Sequence, residues 1–283
     1  MSVLAELLKP SRLTEVVDIG ANPIDGTPPY RAMLAAGLCR VTGFEPQKAA
    51  LAELQQKKGA NERYLDYVVG DGAAHTLHIC AGSGMTSLFE PDQVNLNLFR
   101  VLQPAAKVVA TRKVVTRGLN DIAEIEHMDF LKIDVQGSEL AVFQSGRGGK
   151  LASTVAIQTE VSFISLYRDQ PTFGDIDVEL RSQGFIPHCF AGIKKLPIAP
   201  CVINNDPWTP LNQLLEADVV YVRDFARPES MSEEQLKHLA LIAHHCYKSF
   251  DLVLRCLRVL ERRGALQSDA PRRYLESCPE LVS

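Results

Sequence analysis

The sequence lacks several features that would assign it to a specialised class of protein. The apolar runs among its 283 residues are too short to cross a bilayer, which excludes a membrane span. Its formal net charge of −4 gives no reason to expect nucleic acid as a partner. The segment from Met1 to Lys9 has neither a basic start nor a small-residue cleavage site, so we expect no signal peptide.

Cysteine and histidine patterns typical of disulfide frameworks or zinc sites are also missing. The seven cysteines are scattered, and no Cys-x-x-Cys occurs, which predicts free thiols in a reducing cytoplasm. His75 and His78 would point to opposite faces of a strand. His244 and His245 lie outside any His-Glu-x-x-His pattern. We therefore predict no histidine-based metal site.

The phosphate-binding glycine signatures are absent as well. The run from Gly20 to Gly26 does not form the pattern G-x-G-x-x-G, and no P-loop lysine occurs. A single glycine preceded by an acid favours a cofactor that has a ribose and adenine but no pyrophosphate. S-adenosylmethionine is such a cofactor.

Two segments present in the first third of the chain support a nucleotide-type site. The sequence EVVDIGAN is a β-branched run that ends at Asp18 and continues into Gly20 and Asn22. The sequence VTGFEPQ is a second short strand that ends at Glu45, where a carboxylate can accept hydrogen bonds from two ribose hydroxyls. Asp71 follows a third strand, and we assign it or its neighbours to the adenine amino group.

The segment DFLKIDVQGSELAVFQSG, from Asp129 to Gly146, is the most informative about function. Charge at Lys132 and Asp134 interrupts an apolar run, although an unpaired buried ion is costly. The carboxyl end of this strand should therefore open into a site, as ligand sites do in open α/β sheets. Gly137 allows a sharp turn, and a helix is expected to begin at Glu139.

Strand and helix patterns alternate up to about residue 150, which predicts a parallel sheet. We expect strands near 15–19, 40–44, 64–69, 75–80, 106–116, 130–135, 154–161, 185–190 and 217–222. We expect helices near 29–37, 47–58, 92–101, 137–145 and 174–183.

DIGAN, GFEP and DFLKIDVQGSE, in this order, resemble the motifs of the FkbM family of S-adenosylmethionine-dependent methyltransferases. The resemblance runs from about Glu15 to about Arg223 and includes the stretch IQTEVSFISLYRDQP. It implies a Rossmann-like class I methyltransferase fold, α/β with a mostly parallel central sheet and helices on both faces. It also implies a small-molecule or glycan acceptor. The sequence departs from the family at Gln136, where the family usually has Glu.

A hydroxyl acceptor must lose its proton, and four residues are candidates for the base. They are Asp134, Glu139, Glu160 and His188. Alternatively, Asp134 and Glu160 are positioned to hold a divalent cation such as Mg²⁺, which would orient the acceptor and lower its pKa. The sequence does not decide between these mechanisms.

The character of the chain changes after Arg227. Ser232 and Gln235 form a capping-box pattern, and two apolar rows with heptad spacing follow. We predict a methyltransferase domain at 1–227, one long amphipathic C-terminal helix at 228–264 and a polar tail at 265–283. We expect the helix to pair with a second copy in a homodimer or higher homo-oligomer. The two rows are Leu236, Ala243, Phe250 and Leu257, and Leu239, Cys246, Val253 and Leu260.

Three functions remain open from the sequence. The first is an O-methyltransferase that acts on a hydroxyl of a sugar, glycan or secondary metabolite. The second is a nucleotide-dependent oxidoreductase, which the missing dinucleotide glycine pattern disfavours. The third is a non-catalytic assembly protein, which Gln136 and the long helix keep open.

Overall fold

The computed structural model describes residues 3–278 and contains strands and helices in alternation. The strands are β1 (Thr14–Ile19), β2 (Cys39–Phe44), β3 (Glu62–Leu65), β4 (Val69–Gly70), β5 (Ala74–Cys80), β6 (Val108–Val115), β7 (Arg117–Gly118), β8 (Phe130–Ile133), β9 (Ala156–Ser162), β10 (Phe185–Lys195) and β11 (Leu214–Arg223). The helices are α1 (Val3–Leu8), α2 (Arg31–Ala35), α3 (Lys48–Lys57), α4 (Gln93–Leu96), α5 (Gln103–Ala106), α6 (Glu139–Ser145), α7 (Lys150–Ser153), α8 (Phe173–Ser182), α9 (Glu233–Tyr247), α10 (Phe250–Arg262) and α11 (Ala270–Glu276).

The central sheet has seven strands in the order β10-β11-β9-β8-β1-β2-β3. The strands from β9 to β3 pair in parallel, whereas β11 pairs antiparallel with both β9 and β10. The predicted fold class, a mostly parallel α/β sheet, is therefore confirmed. The carboxyl ends of β1, β2, β8 and β9 lie at one edge because these strands run in the same direction.

Side-chain alternation along the strands builds a core on each face of the sheet. Val16 and Phe130 point into one apolar cluster, and Val17 and Leu131 point into the other. The first cluster is closed by α9 and α10, and the second by α6 and α8. This arrangement is expected, because successive side chains of a strand point to opposite faces of the sheet, and here both faces are buried.

Two of the predicted strands lie outside the central sheet. The stretches expected near 75–80 and 106–116 form β5 and β6, which pair antiparallel with each other as a separate two-stranded sheet. Most of β6 is exposed. The stretch expected near 64–69 is divided between β3 and β4, and β4 pairs with β7 instead of extending β3.

The prediction of a single long C-terminal helix at 228–264 is wrong, because the region forms two helices, α9 and α10, with a break between them. Lys248 has φ of 53°, a left-handed conformation that stops the helix. The amide of Ser249 then donates to the carbonyl of Ala243 at 2.9 Å. The chain changes direction there, and both helices pack on the sheet and on each other.

The predicted dimer surface on this helix is also wrong. Leu236, Leu239, Val253, Leu257 and Leu260 are all at most 1% exposed, and they contact the sheet residues of the first apolar cluster. The heptad rows are therefore covered by the chain itself and are not available to a second copy. The predicted polar tail at 265–283 contains α11, and Tyr274 of this helix is buried. The last five residues of the tail lie outside the described range.

Among residues 3–278, no helix combines the length and the apolar character that crossing a bilayer requires.

Candidate functional site

The turn after β1 brings the first motif against the third. Gly20 has φ of 79°, and a Cβ atom there would lie 1.9 Å from the carbonyl oxygen of Asp134. Only glycine fits this close approach without moving the backbone. The amide of Asp134 in turn donates to the carbonyl of Ile19 at 3.0 Å. The ends of β1 and β8 are thus fixed side by side.

Two clefts open at this edge of the sheet. The inner cleft lies over the ends of β1 and β2 and contains about 680 Å³ of space, including its open mouth. The outer cleft lies between α2 and residues of β9, β10 and β11, and it contains about 2190 Å³, again including its open mouth. Asn22 and Asp134 line both clefts, so the two spaces meet at these side chains.

Glu45 supplies a buried carboxylate to the inner cleft. The residue is 2% exposed, and its Oε1 accepts a hydrogen bond from the amide of Gln47 at 2.7 Å. Gln47 also donates through its side chain to the carbonyl of Ser83, at 3.5 Å. An apolar part of the wall of this cleft is formed by Ile19, Phe44, Tyr67, Val68, Val69 and Leu88.

The Tyr67 ring in this wall is held from two sides. The Arg117 guanidinium lies 3.5 Å from the ring centroid, and the Tyr67 hydroxyl donates to Glu124 at 2.5 Å. The hydrogen bond to the Glu124 carboxylate raises the pKa of the Tyr67 phenol. The sequence analysis missed Tyr67 and Arg117, because they are distant in sequence and belong to no motif.

Asp18 lies on the outer side of the Gly20 turn. It lines the outer cleft, where its Oδ2 accepts a hydrogen bond from the Tyr30 hydroxyl at 2.5 Å. Lys132 Nζ lies 3.5 Å from Asp18 Oδ1 and donates to the Gly20 carbonyl at 3.2 Å. Asp18, predicted to bind cofactor directly, instead holds Lys132 against the turn that separates the clefts. Asn22, predicted in the same role, does line the inner cleft and caps the short turn at Ile24.

Asp134 and Glu160 are brought together at the junction of the clefts. Gln136 donates through Nε2 to Asp134 Oδ1 at 2.8 Å and to Glu160 Oε1 at 3.0 Å. Burial, followed by the neighbouring Asp134 carboxylate, holds the pKa of Glu160 well above its ordinary value. Both acids line the outer cleft, so two of the four predicted bases are at the site.

Glu139 has a different position from the one predicted. Its Oε1 accepts from the amide of Val135 and its Oε2 from the amide of Gly137, both at 2.9 Å. Burial raises its pKa to about 7. The side chain therefore closes the turn between β8 and α6, and it does not line either cleft. The prediction of a catalytic role for Glu139 is a misreading of a residue that shapes the turn.

The structure also places His188 and Asp71 away from the clefts. The ring of His188 lies 2.7 Å from the hydroxyl of Ser249, at the break between α9 and α10, and burial lowers its pKa. Asp71 accepts hydrogen bonds from the Ala73 amide and the Thr116 hydroxyl, at 2.9 and 3.0 Å, and lies 2.8 Å from His75. Burial by itself would raise the pKa of Asp71, but those contacts together outweigh it and lower the pKa to about 2. These positions give no support to a catalytic base at His188 or to an adenine contact at Asp71 itself, although its neighbours Val68 and Val69 do line the inner cleft.

Among residues 3–278, no group of three or more histidine, cysteine, aspartate or glutamate side chains is arranged to hold a metal ion. The geometry thus gives no support to the alternative in which Asp134 and Glu160 share a divalent cation.

Comparison with known proteins identifies the family of the chain. The family model described as the methyltransferase FkbM domain matches residues 18–187. A search of curated proteins found no significant match. Among solved structures, similarity extends to magnesium protoporphyrin IX methyltransferase from Synechocystis PCC 6803, with 14% identity, a TM-score of 0.36 and coverage of 78% of this chain and 76% of that chain. It also extends to precorrin-6y C5,15-methyltransferase from Geobacter metallireducens GS-15, with 10% identity, a TM-score of 0.34 and coverage of 78% and 86%. Because the family match spans more than half of the sequence and includes all three strand-end motifs, the chain belongs to the FkbM methyltransferase family.

Proposed function

We propose that the protein is an S-adenosylmethionine-dependent O-methyltransferase whose acceptor is a hydroxyl of a sugar, glycan or secondary metabolite. The observation that carries the proposal is the junction of the two clefts at Asn22 and Asp134. A donor in one cleft and an acceptor in the other would meet at a carboxylate. Such juxtaposition supplies much of the rate of a bimolecular transfer.

The residues of the inner cleft fit the proposed cofactor. The Glu45 carboxylate offers acceptors for two ribose hydroxyls, and the apolar wall suits a flat purine ring. None of the described lining residues is a lysine or an arginine, so the cleft offers no cationic side chain for a pyrophosphate. When bound, S-adenosylmethionine would supply a methyl group that is activated by a positively charged sulfur.

The outer cleft supports a hydroxylated acceptor. It is lined by the acids Asp134, Glu160 and Asp218, and by the amide of Gln158. The Tyr247 hydroxyl donates to Gln158 Oε1 at 2.9 Å, so this wall is already ordered. Acids, amides and phenols accept and donate hydrogen bonds in the way that several neighbouring hydroxyls require.

We assign Asp134 as the base that accepts the proton of the acceptor hydroxyl. It lines both clefts, so its carboxylate would lie beside an acceptor oxygen that faces the inner cleft. It would accept the hydroxyl proton as the new bond forms, as a general base does. Lys132, held by Asp18, fixes the Gly20 turn and is not assigned a direct role in the chemistry.

A melting experiment followed by an acceptor screen tests the proposal. S-adenosylhomocysteine at one hundred times its Kd should stabilise the protein by about 2.7 kcal/mol, whereas NAD at the same concentration should not. Stabilisation by NAD alone would favour the oxidoreductase alternative and overturn the proposal. The screen should then yield a product methylated on oxygen, as established by NMR. Methylation on nitrogen or carbon would overturn the assignment of the acceptor atom.

A further inference from the structure

The side chain of Gln136 uses every hydrogen-bonding group that it has at the junction of the clefts. Its two N–H groups face Asp134 Oδ1 at 2.8 Å and Glu160 Oε1 at 3.0 Å. Its carbonyl oxygen lies 3.0 Å from the hydroxyl of Tyr167. A primary amide has two donor hydrogens and one acceptor oxygen, so this set is complete.

We propose that Gln136 is a positioning residue that clamps Asp134 and Glu160 at a fixed separation, so that the Asp134 carboxylate is held in one orientation toward the acceptor. The inference rests on the proposed function, because it concerns the acid that accepts the hydroxyl proton. It goes beyond that function in assigning a role to a residue that is neither a proposed base nor a proposed ribose contact.

The orientation of the amide follows from its neighbours. The Tyr167 hydroxyl supplies the hydrogen that the amide oxygen accepts, and a rotated amide would lose this bond and turn its oxygen toward an ionised carboxylate, which has no hydrogen to give. The Tyr167 hydroxyl also lies 3.1 Å from the carbonyl oxygen of Met85, so it can donate to either oxygen. Tyr167 is 1% exposed, and the tyrosine therefore holds the carbonyl end of the amide from a rigid position.

The backbone at Gln136 is fixed as well. Its φ of 55° is a left-handed conformation that is uncommon for residues other than glycine. The hydroxyl of Ser87 donates to the Gln136 carbonyl at 2.6 Å and thereby ties the turn to a separate loop. Unusual backbone conformations persist where surrounding contacts over-determine them, and they cluster at functional sites.

Electrostatics explain why an amide suits this position. Two carboxylates that share one donor group repel each other, and one of them retains its proton to higher pH. The pKa of Glu160 is raised by burial and then by Asp134. The other charged groups around the pair are Lys132, Glu139, Lys194, Glu216 and Asp218. A carboxylate at position 136 would add a further negative charge and remove both donated hydrogen bonds.

Three variants of the full chain test the clamp. Gln136→Glu should lower kcat and move the acid limb of its pH profile upward by about one pH unit or more, because added negative charge raises the pKa of the base. Gln136→Met has similar volume but no charge, so it should lower kcat with a smaller shift of that limb. Gln144→Glu adds the same charge at an exposed position of α6 and should leave both quantities unchanged.

The affinity for S-adenosylhomocysteine separates positioning from cofactor binding. We expect calorimetry to give values within about threefold of the unchanged protein for all three variants, since the loss of activity should appear in kcat. If Gln136→Met retains both kcat and the pH profile, the clamp is refuted. If its activity falls only in proportion to cofactor affinity, the residue binds cofactor and the clamp is again refuted.

A second readout needs no acceptor and therefore distinguishes failure of the clamp from failure of the proposed function. The acids around position 136 should have pKa values above their unfolded values near ~4.3 in Gln136→Glu. A raised pKa lowers the free energy of unfolding at the pH values where the unfolded chain ionises more readily than the folded protein. This loss is absent below the unfolded pKa and grows as pH rises toward the folded pKa. The difference in Tm between Gln136→Glu and Gln144→Glu should widen accordingly between about pH 4 and pH 8. A constant difference would overturn the clamp, whether or not an acceptor is known.

Discussion

The carboxylates near the strand ends occur in similar sequence contexts, but they make different contacts in the structure. Glu45 lines the inner cleft, Asp134 lies where the clefts meet, and Glu139 closes a turn through two backbone amides. Asp18 braces Lys132 on the outer side. Burial and hydrogen-bond partners, and not residue type, therefore decide which acid is available to a ligand.

Glu45→Ala should weaken binding of S-adenosylhomocysteine by about 1.5–3 kcal/mol, the range for hydrogen bonds to a charged group. Isothermal calorimetry on the folded variant measures this loss. Glu53→Ala is the matched control, because Glu53 lies on the neighbouring helix α3 and pairs only at the surface with Lys57. Unchanged affinity in Glu45→Ala would show that the ribose is held elsewhere.

Asp134→Asn keeps the shape of the side chain but removes the base. Turnover should fall by about 10²–10⁴-fold, the contribution of a positioned general base, with little change in cofactor affinity. Asp66 is an exposed residue that follows β3, so the control variant Asp66→Asn should leave turnover unchanged. Equal losses of turnover and affinity in Asp134→Asn would assign the residue to cofactor binding. Activity that requires added Mg²⁺ and is lost with a chelator would instead revive the cation mechanism.

At the scale of elements, the break between α9 and α10 determines how the C-terminal region packs. Each helix is too short to serve as a separate coiled coil, but the turn at Lys248 lets both bury their apolar faces against the sheet and each other. The capping box predicted at Ser232 and Gln235 is present at the start of α9. The start of this region was therefore predictable, but its interruption was not.

Substitutions at Lys248 test the left-handed turn. Lys248→Val should cost about 1–2 kcal/mol of unfolding free energy, because a β-branched side chain is poorly accommodated at positive φ. Lys248→Gly should cost nothing or be slightly stabilising. Lys58→Val is the control, because Lys58 is exposed and has an extended backbone conformation after α3. It should change the free energy of unfolding very little. Equal urea midpoints for all three variants would contradict the turn.

At the scale of the whole molecule, the C-terminal helices form one wall of the core and also approach the site. Leu257 and Val253 are fully buried with Phe130 and Val16 in one cluster, while Tyr247 at the end of α9 lines the outer cleft. The family match ends at residue 187, well before these helices. We expect the methyltransferase domain to depend on them for its stability.

A chain that ends at Arg227 should aggregate or unfold without cooperativity, because it would expose the apolar face of the sheet to water. Solubility, urea unfolding and cofactor binding measure this. In the full chain, Leu257→Ala should cost about 2–5 kcal/mol, as large-to-small core changes do. Leu211→Ala, at a position that is 45% exposed, should cost far less. A shortened chain that unfolds cooperatively and binds S-adenosylhomocysteine would refute this dependence.

The sequence by itself determined the fold class, the family and the principal strand ends, because these follow from local patterns. Apolar runs that end in Asp18, Glu45 and Asp134 identify parallel strands whose carboxyl ends carry the site. Gly20 was identifiable as a turn, although its reason, contact with the Asp134 carbonyl, lies more than a hundred residues away in the chain. Local spacing also indicated the helix that begins at Glu139.

Only the tertiary structure decided which of the predicted acids faces a cleft and which surface the C-terminal helices cover. Glu139 and Asp71 satisfy backbone amides, and His188 contacts Ser249 from another element. The heptad rows look like a seam for a partner, because periodicity reports that a face is buried but not what buries it. The Gln136 side chain joins groups from two distant segments, and no pattern within either segment specifies the contacts between them.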